Sequence, residues 1–155
     1  MRGIATAFLG AVAMSAALSM AQSPAKPLQV QETNTEGVMA EVTDVTRKEG
    51  VLTVKVRFRN TGQKTVRLRI SRNWGDIDNH YIVVGSSKML PLRDAQKTAV
   101  MSPVSGSGEL DPEIKPGASY LFWVKFPAPP ASAKKVTFFA PSGPPFEDLP
   151  ITEAQ

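Results

Sequence analysis

The feature that most constrains the fold is the segment 51–70, which reads VLTVKVRFRNTGQKTVRLRI. Apolar and polar side chains alternate in both halves of this segment, and turn-forming residues lie between the halves. Alternation with a period of two is typical of a β-strand with one buried face, so the segment predicts an antiparallel β-hairpin. Its apolar side chains are expected to face a core: Leu52, Val54, Val56, Phe58, Val66, Leu68 and Ile70. Five cationic side chains are expected on the outer side: Lys55, Arg57, Arg59, Arg67 and Arg69.

The first 21 residues predict export. A basic start at Arg2 is followed by an apolar run rich in small residues, and Ser19 and Ala21 occupy the −3 and −1 positions of a signal-peptidase site. We therefore expect residues 1–21 to be a cleaved signal peptide and the mature protein to be periplasmic or secreted, with no transmembrane segment. A membrane anchor is the alternative, but the apolar run is short and interrupted by polar and glycine residues.

The chain has 155 residues and no cysteine. Without the signal peptide it has the size of one domain, large enough to bury its own core. We expect a flexible leader at 22–36, in which Leu28 and Val30 form at most an edge strand, a domain at 37–151 and a tail at 152–155. The lack of cysteine excludes disulfides, thiol catalysis, zinc–thiolate sites and iron–sulfur clusters.

Further short strands are expected along the rest of the chain. They lie at 38–45, 80–84, 88–92, 97–101, 120–126 and 135–140, separated by turns and by loops at 71–79 and 102–109. In the segment 120–126, Phe122, Val124 and Phe126 should face the core, whereas Trp123 should be partly exposed beside Lys125. Sustained helical periodicity is absent, and residues 88–99 are the one place where a helical turn is expected. Seven to nine short strands with this spacing predict an all-β fold, an immunoglobulin-like antiparallel β-sandwich without a disulfide.

Several motifs resemble those of the immunoglobulin-like, telokin-like domains of unknown function found in bacterial secreted and cell-envelope proteins. They include the turn Asn60-Thr61-Gly62 after a β-rich run, Pro116-Gly117 before an aromatic strand, and the closing PFEDLPI. The similarity covers about residues 37–151. The resemblance implies a binding or scaffold module of the cell envelope rather than an enzyme.

Positive charge is concentrated in residues 47–72, which contain nine basic residues and one acidic residue, a local net charge of +8. Clustered cations raise the local concentration of anions, so the outer side of the predicted hairpin is a candidate docking surface for an anionic envelope polymer or an acidic protein. The residues predicted to bind the partner are Lys55, Arg57, Arg59, Arg67, Arg69 and Trp123. The alternative is a solvated face whose charge is neutralised by Glu41 and Asp44 from the neighbouring strand. Specific nucleic-acid binding is not expected, because aromatic side chains are not interleaved with these cations.

A second candidate site consists of Asp76, Asp78, Asn79 and His80, the only histidine of the chain. Their oxygen donors alternate, but a calcium loop needs more ligands, including a late acidic one. We favour an ordinary loop here, whose Asp and Asn side chains bond to nearby backbone. The competing hypothesis is a small hydrolase or metal-dependent enzyme centred on His80 with Asp76 and Asp78.

Other catalytic patterns are weak, and we predict no catalytic residue, no metal ligand and no cofactor. Ser105 and Ser107 lie in a glycine-containing loop rather than in a strained strand-to-helix turn. The S-x-x-K match at residues 132–135 lacks its partner motifs. Trp74 and Trp123 are candidate anchors for a partner. The alternative is structural: Trp74 fills one end of the predicted sandwich, and Trp123 packs on the aliphatic part of Lys125 and neighbouring side chains.

Overall fold

The computed structural model describes residues 26–154, so the predicted signal peptide and its cleavage site lie outside the described residues. The strands are Gln29–Glu32 (β1), Val38–Lys48 (β2), Val51–Asn60 (β3), Val66–Arg67 (β4), Tyr81–Val84 (β5), Ser87–Met89 (β6), Glu113–Ile114 (β7), Ser119–Pro127 (β8), Lys135–Phe139 (β9), Phe146–Pro150 (β10) and Thr152–Glu153 (β11). A 3-10 helix spans Trp74–Asn79. Eleven strands in residues 26–154 exceed the seven to nine predicted, and three of them have only two residues. Within this part of the chain, no helix is long and apolar enough to cross a membrane.

Two larger sheets and one small sheet organise these strands. The first sheet has the order β1-β2-β3-β8, and β11 joins β2 as a parallel neighbour. The second sheet has the order β10-β9-β5-β6, and β4 pairs with β7 in a two-stranded sheet. Every other strand pair is antiparallel, which confirms the predicted all-β class with antiparallel sheets.

The hairpin of the first sheet is formed by β2 and β3, joined at Glu49 and Gly50. Both turn residues have positive φ, 48° and 79°, as a two-residue type I′ turn requires. This confirms the turn expected between the predicted strand at 38–45 and the strand that begins at residue 51. The prediction that residues 51–60 pair with residues 66–70 is wrong, because β2 and β8 occupy both edges of β3 along nearly its whole length. The segment 66–70 instead contributes two ladder residues to a pairing with β7.

The predicted division of side chains between the two sides of residues 51–70 is confirmed even though the pairing is not. Leu52, Val54, Val56 and Phe58 are at most 2% exposed, and Leu68 and Ile70 are equally buried, with Val66 half-buried. Phe122, Val124 and Phe126 are also buried, as predicted. The ring centroids of Phe126 in β8 and Phe138 in β9 are 6.1 Å apart, so the two larger sheets contact each other across one core.

Local differences from the prediction have identifiable causes. Residues 74–79 form the 3-10 helix where a loop was predicted, because the side chain of Asn73 caps the helix by accepting a hydrogen bond from Gly75 N at 2.8 Å. Residues 88–99 contain no helical turn; β6 begins this segment and an isolated bridge joins Arg93 to Ala99. β1 is the edge strand allowed within residues 22–36, so the sheet begins before the predicted boundary at 37.

Arg47 connects the end of β2 to the late part of the chain. Its side chain is only 8% exposed. It donates hydrogen bonds to the carbonyl oxygens of Pro129 at 3.0 Å and Pro130 at 2.7 Å, and it pairs with Glu153 in β11. Although Arg47 belongs to the basic segment of the sequence, it is therefore a structural side chain and adds no cation to the surface.

Candidate functional site

The candidate site is the outer face of the first sheet, by which we mean the outward side chains of β1, β2, β3 and β8. Lys55, Arg57 and Arg59 alternate along β3 on this face. Antiparallel pairing with β8 places Trp123 opposite Lys55 and Leu121 opposite Arg57. The structure thus brings together four of the predicted partner-binding residues on one surface.

The arginines of the outer face are held by one carboxylate. Glu41 in β2 is 4% exposed and accepts hydrogen bonds from Arg57 Nε at 2.6 Å and Arg59 Nε at 2.9 Å. Burial by itself would raise the pKa of Glu41, but these two hydrogen bonds outweigh it and the pKa is lowered. Asp44 pairs with Lys55 at 3.3 Å. Glu41 and Asp44 therefore neutralise much of the charge on β3, as the alternative in the sequence analysis predicted.

Apolar side chains are exposed beside these ion pairs. Val30 of β1 pairs with Glu41, and Leu121 of β8 pairs with Arg57, so one row across the sheet carries both. Leu121 is 53% exposed and Val30 is 46% exposed. Trp123 is half-buried, as predicted, and Lys125 Nζ lies 6.0 Å from its ring centroid. Leu121 and Val30 were not among the predicted binding residues, because those were selected mainly by their positive charge. The alternation of side chains along β8 was the signal that could have placed Leu121 on the outer face.

Arg67 and Arg69 do not belong to this face. Arg67 lies in β4 and its guanidinium is 3.3 Å from Asp111. Arg69 follows β4 and lines a separate cleft with Arg72 and Asp76. The prediction that all five cations share the outer side of one hairpin is therefore wrong, because the hairpin on which it depended does not form.

The residues of the competing enzyme hypothesis have separate partners. Asp76 binds Arg72, with 2.8 Å between Oδ2 and Nε, and Asp78 binds Arg93 at 2.6 Å. His80 is fully buried, and its Nδ1 donates to the carbonyl oxygen of Ile77 at 3.3 Å. In residues 26–154, no three His, Asp or Glu side chains come together as a metal ion would require.

The remaining candidates of the sequence analysis are bound by residues near them. Ser105 Oγ and Ser107 Oγ are 2.8 Å apart in an exposed turn, and Ser107 also donates to Glu109. Lys135, the last residue of the S-x-x-K match, is 3.7 Å from Asp148. Trp74 is 46% exposed and its Nε1 donates to the carbonyl oxygen of Gly106 at 3.1 Å, so it covers the glycine loop.

No protein-family model, curated protein or solved structure matches this chain. What the protein does is therefore inferred from the chemistry of its own surface.

Proposed function

We propose that this protein is an exported, non-enzymatic binding module of the bacterial cell envelope, an immunoglobulin-like β-sandwich that docks an acidic protein through the outer face. Two antiparallel sheets around one core and the telokin-like motifs of the sequence support the fold. The observation that carries the function is the row in which Val30 and Leu121, both about half exposed, flank the ion pair of Glu41 and Arg57.

The composition of this row is that of a protein interface. Interfaces combine apolar and aromatic side chains at the centre with arginines that are enriched relative to the rest of the surface. The hydrogen bonds from Arg57 and Arg59 to Glu41 hold both guanidinium groups in place before a partner arrives. Less side-chain entropy is then lost when the partner binds.

The charge of the outer face favours an acidic protein over a polyanionic polymer. Lys55, Arg57 and Arg59 of β3 share two carboxylates, those of Glu41 and Asp44, so the net positive charge of β3 is small, and Lys125 in β8 adds one further cation. A polymer held by charge would need cations that are not already paired, and it would leave Leu121 in water. An acidic protein with an apolar centre would use both the residual charge and the exposed leucine.

The test compares Leu121→Asp with Leu90→Asp. Leu90 directly follows β6 of the second sheet and is 42% exposed, so the two changes are chemically matched but lie at different places on the surface. The mature chain is immobilised and exposed to envelope extract, and the retained proteins are quantified by mass spectrometry. We expect one acidic protein to be retained by the wild type and by Leu90→Asp and to be reduced about tenfold by Leu121→Asp, the loss typical of one central interface residue.

Two results would contradict the proposal. One is equal retention of every protein by the two variants. The other is a combination of two findings: the wild type and Leu121→Asp bind heparin equally strongly, and no protein of the extract is retained by one and lost by the other. That combination would identify a polyanion as the partner.

A further inference from the structure

A second concave site lies away from the outer face, where three separated segments of the chain meet. Its walls are formed by Asn34 and Thr35 after β1, by residues 69–76 after β4, and by Pro141 and Ser142 after β9. Its volume is about 260 Å³. The backbone N–H of Asn34 donates to Ser142 O at 2.8 Å and its side-chain amide donates to Pro141 O at 3.1 Å, so two walls are tied together.

Arg69 gives this cleft an uncompensated positive charge. Its guanidinium is exposed, and in residues 26–154 it has neither a carboxylate nor a carbonyl partner. Arg72, the second cation of the cleft, is bound through Nε and one terminal nitrogen to the two oxygens of Asp76. The hydrogen bond from Arg72 is the main cause of the lowered pKa of Asp76, so the carboxylate stays charged and balances Arg72. The cleft therefore carries the net charge of Arg69.

Hydroxyl groups without a bound acceptor line the same cleft. Within the described part of the chain, the hydroxyls of Thr35 and Ser142 make no hydrogen bond, and neither oxygen is buried, so both are open to an incoming group. Two accessible hydroxyls and an unpaired guanidinium beside one cavity leave several donors and one positive charge for an incoming group. Such a donor set is complementary to an oxyanion.

We propose that this cleft binds a phosphate group. A guanidinium matches the geometry of phosphate oxygens, and a tetrahedral phosphate offers enough oxygens to accept bonds from more than one wall. The volume lies below the range of about 300–1,000 Å³ that is usual for drug-sized ligands, so the cleft suits a small group. The phosphate comes either free in solution or as the terminal group of a membrane lipid. The cleft shares no residue with the outer face, so the two proposals can fail separately.

Arg67→Gln provides a matched control for Arg69→Gln. The two arginines stand two residues apart, both are exposed, and both changes remove one positive charge. Arg67, however, pairs with Asp111 and lines a different cavity. Since neither guanidinium is buried, both variants are expected to fold, which two-dimensional NMR spectra of the free proteins verify directly.

The mature protein is titrated with inorganic phosphate at constant ionic strength, with chloride as the reference anion, and amide shifts are followed by NMR. We expect saturable shifts at Thr35, Arg69 and Ser142. We expect Arg69→Gln to weaken the apparent affinity about tenfold, as the loss of one charge-assisted hydrogen bond would, and Arg67→Gln to change it less than about twofold.

A parallel experiment measures sedimentation with phosphatidylcholine vesicles containing phosphatidic acid. A saturable response to inorganic phosphate that Arg69→Gln weakens and Arg67→Gln does not supports a free phosphate as the ligand. Binding to the vesicles that Arg69→Gln reduces and Arg67→Gln does not, without a saturable response to inorganic phosphate, supports the lipid headgroup. Equal weakening by Arg67→Gln and Arg69→Gln, or no saturable response to either probe, would overturn the proposal.

Discussion

Lowering the pH from 7 to 5 is expected to reduce the free energy of unfolding by about 2 kcal/mol through His80 alone. The imidazole is fully buried against Phe122, with ring centroids 5.3 Å apart. Nδ1 is bonded to Ile77 O, whereas Nε2 has no hydrogen-bond partner within the described residues. A proton added to Nε2 would place a charge in the core without an acceptor. Burial therefore lowers the pKa of His80 from 6.5 to about 4, and the hydrogen bond to the backbone of Ile77 and the nearby Asp76 only partly oppose it.

The direction of the effect follows from this lowered pKa. Above pH 6.5 the histidine is neutral in both the folded and the unfolded chain, so its contribution to stability is fully present. Between pH 6.5 and about 4 the unfolded chain binds a proton that the folded protein does not, and stability falls. A shift of this size corresponds to roughly 3 kcal/mol in total, at about 1.4 kcal/mol per pH unit, of which about 2 kcal/mol is lost by pH 5. The lowered pKa values of Glu41 and Asp76 reduce the free energy of unfolding mainly below pH 5, outside the interval measured here.

The measurement is equilibrium urea unfolding at pH 7.0, 6.0 and 5.0 for the wild type and for His80→Leu. The variant removes the chain's only histidine, so its stability should change by less than about 0.5 kcal/mol over this range whatever its stability at pH 7. A wild-type loss below about 0.5 kcal/mol, or the same loss in His80→Leu, would refute the assignment.

Three further changes test the packing and the ion pairs. Gly108→Ala should cost about 2–3 kcal/mol, measured by urea unfolding, because φ is +85° and a Cβ would lie 2.4 Å from Trp74 N. Gly106→Ala, where a Cβ meets no atom within 4 Å, should change stability by less than about 0.5 kcal/mol. Glu41→Ala should cost about 1–2 kcal/mol in the same assay, since two arginines lose their shared acceptor, and an unchanged midpoint would argue against that ion pair. Arg47→Met should speed proteolysis at the C-terminal end of the chain, as followed by mass spectrometry, because the contacts to β11 are lost; unchanged cleavage would contradict that role.

The sequence predicts which side of each strand is buried far better than it predicts which strands are neighbours. Alternation is local, so Leu52 and Phe58 could be placed in the core from residues 51–60 alone. The second partner of β3 is β8, about sixty residues later, and no local pattern encodes that choice. The two-residue turn at Glu49 and Gly50 was the local signal for the true hairpin, whereas the turn at residues 60–62 leads out of β3 without returning to pair with it.

For the candidate site, the sequence likewise predicted the direction of side chains but not which segments form one surface. Lys55, Arg57 and Trp123 were placed outward correctly by alternation, and the acids of β2 were expected opposite them. Arg69 was assigned to the wrong surface, because cations that are close in sequence lie on different surfaces when the chain changes direction between them. Its cleft depends on Ser142, which is distant in sequence and carries no signal of its own.

The hydrogen bonds of Arg47 set a limit on when this protein can finish folding. Its acceptors are Pro129, Pro130, Ala131, Ala133 and Glu153, so this part of the edge of β2 is closed only after residue 153 has been made. An incomplete nascent chain therefore keeps that edge open and lacks the contacts that lock its final register. Under the proposed export of an unfolded chain, this dependence on residues 129–153 delays the native state until that segment has crossed the membrane.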